Sequence, residues 1–126
     1  AHPGTQVMIV QWWDVVGEGF RNALATETGV ARGDDHHAGM VESSLVMHVA
    51  PDTTRPELID TDSTGLGARR FSYDVFPLPA DAATPSGIVY TAHTASAEIG
   101  VRVADQVALE MAAAVRLEFG IDTAGA

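Results

Sequence analysis

The 126-residue sequence contains no cysteine and no lysine, so its seven basic residues are all arginine. The lack of cysteine excludes disulfides, thiolate metal sites and cysteine nucleophiles. Seventeen acidic residues outweigh the basic ones and give a formal charge of -10. This charge argues against nucleic acid or an anionic membrane surface as a partner, because both require clustered cations.

The sequence also lacks long apolar runs and the marks of a signal peptide. No run approaches the ~18 residues needed to span a bilayer, and the first residues include neither a basic region nor an apolar one. We therefore expect a cytoplasmic protein with no membrane partner. Apolar residues still make up 46% of the chain, and its length suits one compact domain rather than two.

One strand and three helices are predicted. The apolar run Thr5–Trp13 (TQVMIVQWW) is typical of a buried strand. Helices are predicted over Asp14–Thr28, over Ala38–Ala50, and from the N-cap Ser96 to Gly120. In the last helix an apolar stripe, predicted to be core, consists of Ile99, Val103, Val107, Met111, Val115 and Phe119. The pattern indicates an α/β fold, but a part of one, since one strand makes a poor sheet.

The densest group of polar side chains is Asp34-Asp35-His36-His37, directly ahead of the second predicted helix, with Glu42 near its first turn. Their spacing leaves three interpretations open. The acids can simply cap the helix. An imidazole with a carboxylate partner can instead transfer a proton near neutral pH. The same groups can also bind a divalent metal through nitrogen and oxygen.

Longer motifs around this group distinguish the alternatives. Residues 35–45 read D-H-H-A-G-M-V-E-S-S-L and resemble the D-x-H-A-G-x-x-E-T-S-L motif of the creatininase (creatinine amidohydrolase) family, with Ser43 in place of threonine. Val10–Asp14 is similar to the family's strand that ends in aromatic-Trp-Asp. Thr84–Ile88 and Ala95–Gly100 are similar to its T-P-S-G-V and A-S-A-E-x-G elements.

The resemblance implies an α/β/α fold and the hydrolysis of C–N bonds in cyclic amides, small amides or peptides. It implies two divalent cations, zinc or manganese, that polarise the carbonyl and activate a bridging water. His37 would pass a proton to the departing nitrogen, and Asp35 would orient or assist it. Trp13 would line the substrate pocket. Glu42 would support the loop, with His36 as a supporting neighbour.

Two departures from the family pattern carry expectations of their own. Where relatives often continue with G-D-P, this chain has Val89-Tyr90-Thr91-Ala92. We expect Tyr90 to bind substrate there, with a specificity that relatives do not define. The family's metal ligands come from E-x-H and N-G-H-x-x-N-type segments of its N-terminal half, which are missing here. We therefore predict no metal ligand in this chain.

The expected fold class is α/β: the C-terminal half of a creatininase-like α/β/α sandwich, incomplete as a single chain. Residues 1–126 would form part of one domain that another chain or fragment completes. A second polypeptide carrying the N-terminal half would supply most ligands for the two cations. The substrate would be a small-molecule amide, and a higher oligomer is expected.

Two other functions stay open at this stage. The chain could belong to a peptide-trimming member of the same family. It could also be a non-catalytic structural subunit that has kept the fold, although the joint retention of Asp35, His37 and Glu42 argues against this.

Overall fold

The computed structural model describes residues 4–35, 38–59 and 87–121. These ranges contain four α-helices: α1 (Trp12–Val15), α2 (Glu18–Thr28), α3 (Met40–Val49) and α4 (Ala97–Phe119). They also contain three 3₁₀ helices, Pro51–Thr53, Pro56–Leu58 and Tyr90–Thr94. No helix within these ranges is long and apolar enough to cross a membrane.

Helix α4 begins and ends where local signals place it. The Ser96 hydroxyl accepts a hydrogen bond from the Ile99 N–H at 3.2 Å, which satisfies a donor that the helix itself leaves unpaired. Gly120 closes the helix in the left-handed conformation at φ 61°, which glycine adopts without steric cost. Both predicted boundaries are confirmed. The helix predicted over Asp14–Thr28 is confirmed from Glu18 onward. Its first part differs because the helix is interrupted at Gly17, between α1 and α2.

Helices α3 and α4 pack against each other at unusually short range around Gly100. A Cβ atom added there would lie 2.7 Å from the carbonyl carbon of Ser44 and 2.8 Å from the Cβ atom of His48. Ser44 is fully buried, and its hydroxyl accepts a hydrogen bond from the Ser96 N–H at 3.0 Å. Glycine in the sequence element Ala95–Gly100 therefore has a packing function: it lets the two helix backbones approach.

The core lies where α2 meets the α3–α4 pair. It consists of Leu24, Val30, Met40, Ile99 and Val103, with partly buried side chains packed around it from Trp12, Phe20, Val41, Leu45 and Val107. The predicted stripe of α4 is buried only in its first half. Phe119, at the far end, is 40% exposed, so its assignment to the core was wrong for the described structure.

The predicted strand Thr5–Trp13 is not formed within the described residues. Trp12 begins helix α1, and none of residues 5–10 forms a backbone hydrogen bond with another described residue. Val7 and Ile9 are 78% and 91% exposed. The physical reason is that a strand requires a neighbour to complete its hydrogen-bond ladder, and the described ranges offer none.

The close approach at Gly100 yields a stability prediction. Gly100→Ala is expected to lower the free energy of unfolding by about 2 kcal/mol, because the new methyl group must push α3 and α4 apart. Urea denaturation followed by circular dichroism measures this. Gly19→Ala is the matched control, since a Cβ atom there meets nothing within 4 Å. It is expected to stabilise the helical position by about 0.5 kcal/mol. Equal effects of the two substitutions would contradict the packing argument.

Candidate active site

The first turn of α3 is held by a carboxylate from the preceding loop. Asp35 Oδ1 accepts a hydrogen bond from the Met40 N–H at 2.6 Å, and Oδ2 accepts one from the Val41 N–H at 3.2 Å. The N-cap position itself is Gly39, which has no side chain to do this. The partial positive charge of a helix N-terminus favours the carboxylate. Asp35 therefore acts as a remote cap and fixes where the helix begins.

Ala38 is fixed from both of its peptide groups. Its N–H donates to Glu42 Oε2 at 2.5 Å, and its carbonyl accepts from the Ser43 hydroxyl at 3.3 Å. Its φ of 53° lies in the left-handed region, which costs a non-glycine residue on the order of 1–2 kcal/mol. Glu42 thus binds the backbone of the loop residue Ala38 from the first turn of α3. Serine at position 43 keeps the hydroxyl that threonine would supply.

Two neighbouring hydroxyls on the 3₁₀ helix Tyr90–Thr94 bind the two neighbouring acids of the loop. The Tyr90 hydroxyl donates to Asp34 Oδ2 at 2.6 Å, and the Thr91 hydroxyl donates to Asp35 Oδ1 at 2.8 Å. The Thr91 oxygen also lies 3.3 Å from the Met40 N–H, from which it accepts. The loop is therefore fixed to the 3₁₀ helix at two consecutive residues.

A cavity of about 450 Å³ opens beside the start of α3. Trp13, Asp35 and Glu42 all line it, above an apolar floor that includes Val103. Trp13 is 47% exposed. Its carbonyl accepts a hydrogen bond from Arg21, which also lines the cavity. Arg32 lines it as well, so the space combines an aromatic wall, two carboxylates and two guanidinium groups.

Trp13 is held in place by its neighbour. The two indole rings of Trp12 and Trp13 meet edge to face, with centroids 5.7 Å apart and planes at 86°. This is a favoured geometry for aromatic pairs. Trp12 in turn packs on the core and lines the same cavity. The exposed indole of Trp13 thus contacts a partly buried indole that lines the same cavity.

The six predicted site residues are distributed as follows. Trp13, Asp35 and Glu42 share the cavity, and Tyr90 binds the loop through Asp34. His36 and His37 lie outside the described residues. Sequence reasoning gave no role to Asp34 or Thr91 in these contacts. The sequence feature that could have revealed these contacts is the stretch where relatives often have G-D-P, because this chain has hydroxyl side chains at positions 90 and 91 there.

The carboxylates described at this site do not form a metal-binding group. Asp34 accepts from Tyr90, and both oxygens of Asp35 accept from N–H or O–H donors. Within residues 4–35, 38–59 and 87–121, no three His, Asp or Glu side chains cluster to hold an ion.

The environment of Tyr90 favours its neutral phenol. Burial, the hydrogen bond to Asp34 and the negative charges of Asp34 and Asp35 raise the pKa of Tyr90 from 10.0 to about 12. His93 stacks on the ring, with centroids 6.2 Å apart, and its Nδ1 contacts the Tyr90 carbonyl. Tyr90 is thus a hydroxyl donor throughout the physiological range.

Comparison with known proteins gives a consistent result. Residues 4–115 match the family described as Creatininase: Creatinine amidohydrolase. The fold is similar to that of a solved creatinine amidohydrolase (creatininase), with a TM-score of 0.71 and 28% identity over 93% of this chain and 44% of that one.

Two further solved structures are similar over 90% of this chain and 43% of their own. One is a creatininase in a manganese form, with a TM-score of 0.71 and 27% identity. The other is a mutant creatininase of Zn–Zn type, with a TM-score of 0.71 and 26% identity. The chain therefore spans less than half the length of these structures. No curated protein sequence matches it.

The Tyr90–Asp34 bond predicts a titration. With Tyr73→Phe as background, Tyr90 is the sole tyrosine, and its phenol is expected to titrate near 12. Asp34→Asn removes a negative charge and should lower the pKa part of the way toward 10.0. The ¹³C shift of the phenol carbon measures both. Asp52→Asn is the control, and an equal shift in both variants would contradict the assignment.

The raised pKa of Tyr90 also predicts how the stability of the fold depends on pH. Because the folded pKa lies above the unfolded one, the contribution of Tyr90 to stability is complete below pH 10.0 and is lost as the pH rises through about 12. Tyr90→Phe is expected to remove this part of the alkaline loss of stability. Thermal melts across this range measure the difference.

Proposed function

Because the chain belongs to the creatininase family, we propose that it is part of a metal-dependent amidohydrolase that hydrolyses the C–N bond of a cyclic amide or small amide. The observation that carries this proposal is the family match over residues 4–115 together with the cavity that Trp13, Asp35 and Glu42 share. The chain spans less than half the length of solved creatininases, so the activity is assigned to the complete enzyme.

His37 is proposed to pass a proton to the departing nitrogen. Its chain neighbourhood supports this role, because the residues on either side of the His36–His37 pair are both fixed. Asp35 is bound at both oxygens, and Ala38 is bound at its N–H and its carbonyl. A group that transfers protons must be held within hydrogen-bond reach of its target. We propose that Asp35 orients His37, and that Glu42 and His36 support the loop.

The cavity is proposed to receive the substrate against Trp13. Its volume of about 450 Å³ suits a small molecule. Trp13 offers a flat apolar surface for an amide ring. Tyr90 is proposed as the second substrate-binding residue. Its hydroxyl proton is directed to Asp34, so its oxygen can accept a hydrogen bond from a substrate N–H.

Two divalent cations, Zn or Mn, are proposed to be held mainly by a second polypeptide that carries the N-terminal half of the fold. The described carboxylates already accept hydrogen bonds from N–H and O–H donors and form no group of three ligands. Exposed apolar side chains support the proposal that a second polypeptide covers this part of the fold. Val7 and Ile9 lie on the segment that forms no strand pair among the described residues, and Leu117 on α4 is 81% exposed. We propose that the completed enzyme assembles into a higher oligomer.

The proton-transfer role is tested by His37→Ala in the assembled enzyme. Turnover is expected to fall by about 10²-fold, the usual scale for loss of a general acid, while the bound metal content stays the same. His48→Ala is the matched control, because His48 is exposed at the end of α3. Steady-state kinetics on cyclic amides and elemental analysis measure the two effects. Full turnover by His37→Ala would remove the proposed role.

The division between two polypeptides is tested by reconstitution. The purified 126-residue chain is expected to be inactive with added Zn²⁺ or Mn²⁺, and activity should appear on co-expression with an N-terminal half that carries E-x-H and N-G-H segments. A fully active, metal-loaded chain on its own would contradict the proposal. Hydrolysis of short linear peptides instead of cyclic amides would assign the enzyme to peptide trimming. A metal-free, inactive complex would support a structural subunit.

A further inference from the structure

Thr91 is a buried polar residue for which the proposed reaction has no direct use. Its side chain has no exposed surface, and it lies on a 3₁₀ helix that also buries Ala92. Its hydroxyl donates to Asp35 Oδ1 at 2.8 Å and accepts from the Met40 N–H at 3.3 Å. A hydroxyl has a single proton to donate. The direction of that proton is therefore fixed toward Asp35.

The hydrogen bonds of Asp35 can be counted against its capacity. A carboxylate accepts about four hydrogen bonds, two at each oxygen. Oδ1 accepts from the Met40 N–H and from the Thr91 hydroxyl, and Oδ2 accepts from the Val41 N–H. Among the described residues, this leaves one acceptor position, and it lies on Oδ2.

We infer that Thr91 is a positioning residue. Its hydroxyl occupies the second acceptor position of Asp35 Oδ1, so any further hydrogen-bond donor to Asp35 must bind to Oδ2. The inference rests on the proposed function insofar as that donor belongs to the loop ahead of α3 that carries His37. Without the hydroxyl, Oδ1 opens a second, competing position. A donor could then bind to either Oδ1 or Oδ2. Only the molecules in which it binds to Oδ2 would hold the loop in the productive arrangement.

The 3₁₀ helix is a suitable support because it is itself tied to α3. The Ser96 N–H, two residues beyond its end, donates to the buried Ser44 hydroxyl at 3.0 Å. Tyr90 adds the neighbouring bond to Asp34. These contacts do not involve the Thr91 hydroxyl, so its removal is expected to leave the helices packed. The effect of Thr91 on Asp35 can therefore be separated from unfolding.

The experiment compares three variants of the assembled enzyme. Thr91→Val removes the hydroxyl at nearly constant shape and is expected to lower kcat by about tenfold or more, as for small misplacements of a catalytic group. KM should stay within about twofold, because the contacts of Trp13 remain. Thr91→Ser restores the hydroxyl and should recover most of kcat. Thr94→Val is the control, since the Thr94 hydroxyl donates to the Thr91 carbonyl and has no contact with Asp35 among the described residues.

Hydrogen exchange supplies a readout that needs no substrate. In the full chain, Thr91→Val is expected to speed exchange at the Met40 and Val41 amides by about fivefold, as expected for a lost net hydrogen bond of roughly 1 kcal/mol. Amides in the middle of α4 should be unchanged. Thr91→Ser should restore the protection.

The outcomes separate this inference from the proposed function. Wild-type kcat in Thr91→Val, or equal losses in Thr91→Ser and Thr91→Val, would overturn the positioning role. If the assembled wild-type enzyme hydrolyses no amide, the proposed function fails. The exchange rates at Met40 and Val41 then decide alone whether Thr91 fixes the Asp35 carboxylate, and unchanged rates would overturn that as well.

Discussion

The candidate site depends on one carboxylate at one helix end. Asp35 binds the first two amides of α3 and the Thr91 hydroxyl together, so a loop, a helix and a distant 3₁₀ helix share a single anion. Helix N-termini leave backbone donors unpaired and carry partial positive charge, which makes this position favourable for a carboxylate. Because α3 begins where Asp35 holds it, Glu42 reaches back to Ala38 in a fixed geometry.

Helix packing holds α3 in place beside the Asp35 contacts, whereas other apolar parts of the described structure remain exposed. The α3–α4 contact at Gly100 and the Ser44–Ser96 bond fix the helix pair from which the site is built. The apolar segment with Val7 and Ile9, and the end of α4, remain exposed.

Features that are local in sequence could be predicted, and features that are distant could not. Ser96 and Gly120 marked the ends of α4 because capping depends on a few neighbouring residues. The creatininase resemblance and the partial, creatininase-like fold are confirmed by the family match and the solved structures. The strand prediction failed because a ladder depends on a second strand. The Thr91–Asp35 bond joins residues 56 apart, and no spacing rule reveals it.

The hydrogen bonds around the loop also bear on the proposal that the cations are held by a second polypeptide. A carboxylate that accepts three hydrogen bonds from its own chain would have to give some of them up to bind a metal, and α3 would lose its cap. If the cations are instead held by separate ligands, Asp35 keeps its contacts with α3 and Thr91 whether or not metal is bound. On the proposed function, loop geometry and metal loading are therefore independent properties, fixed by different parts of the enzyme.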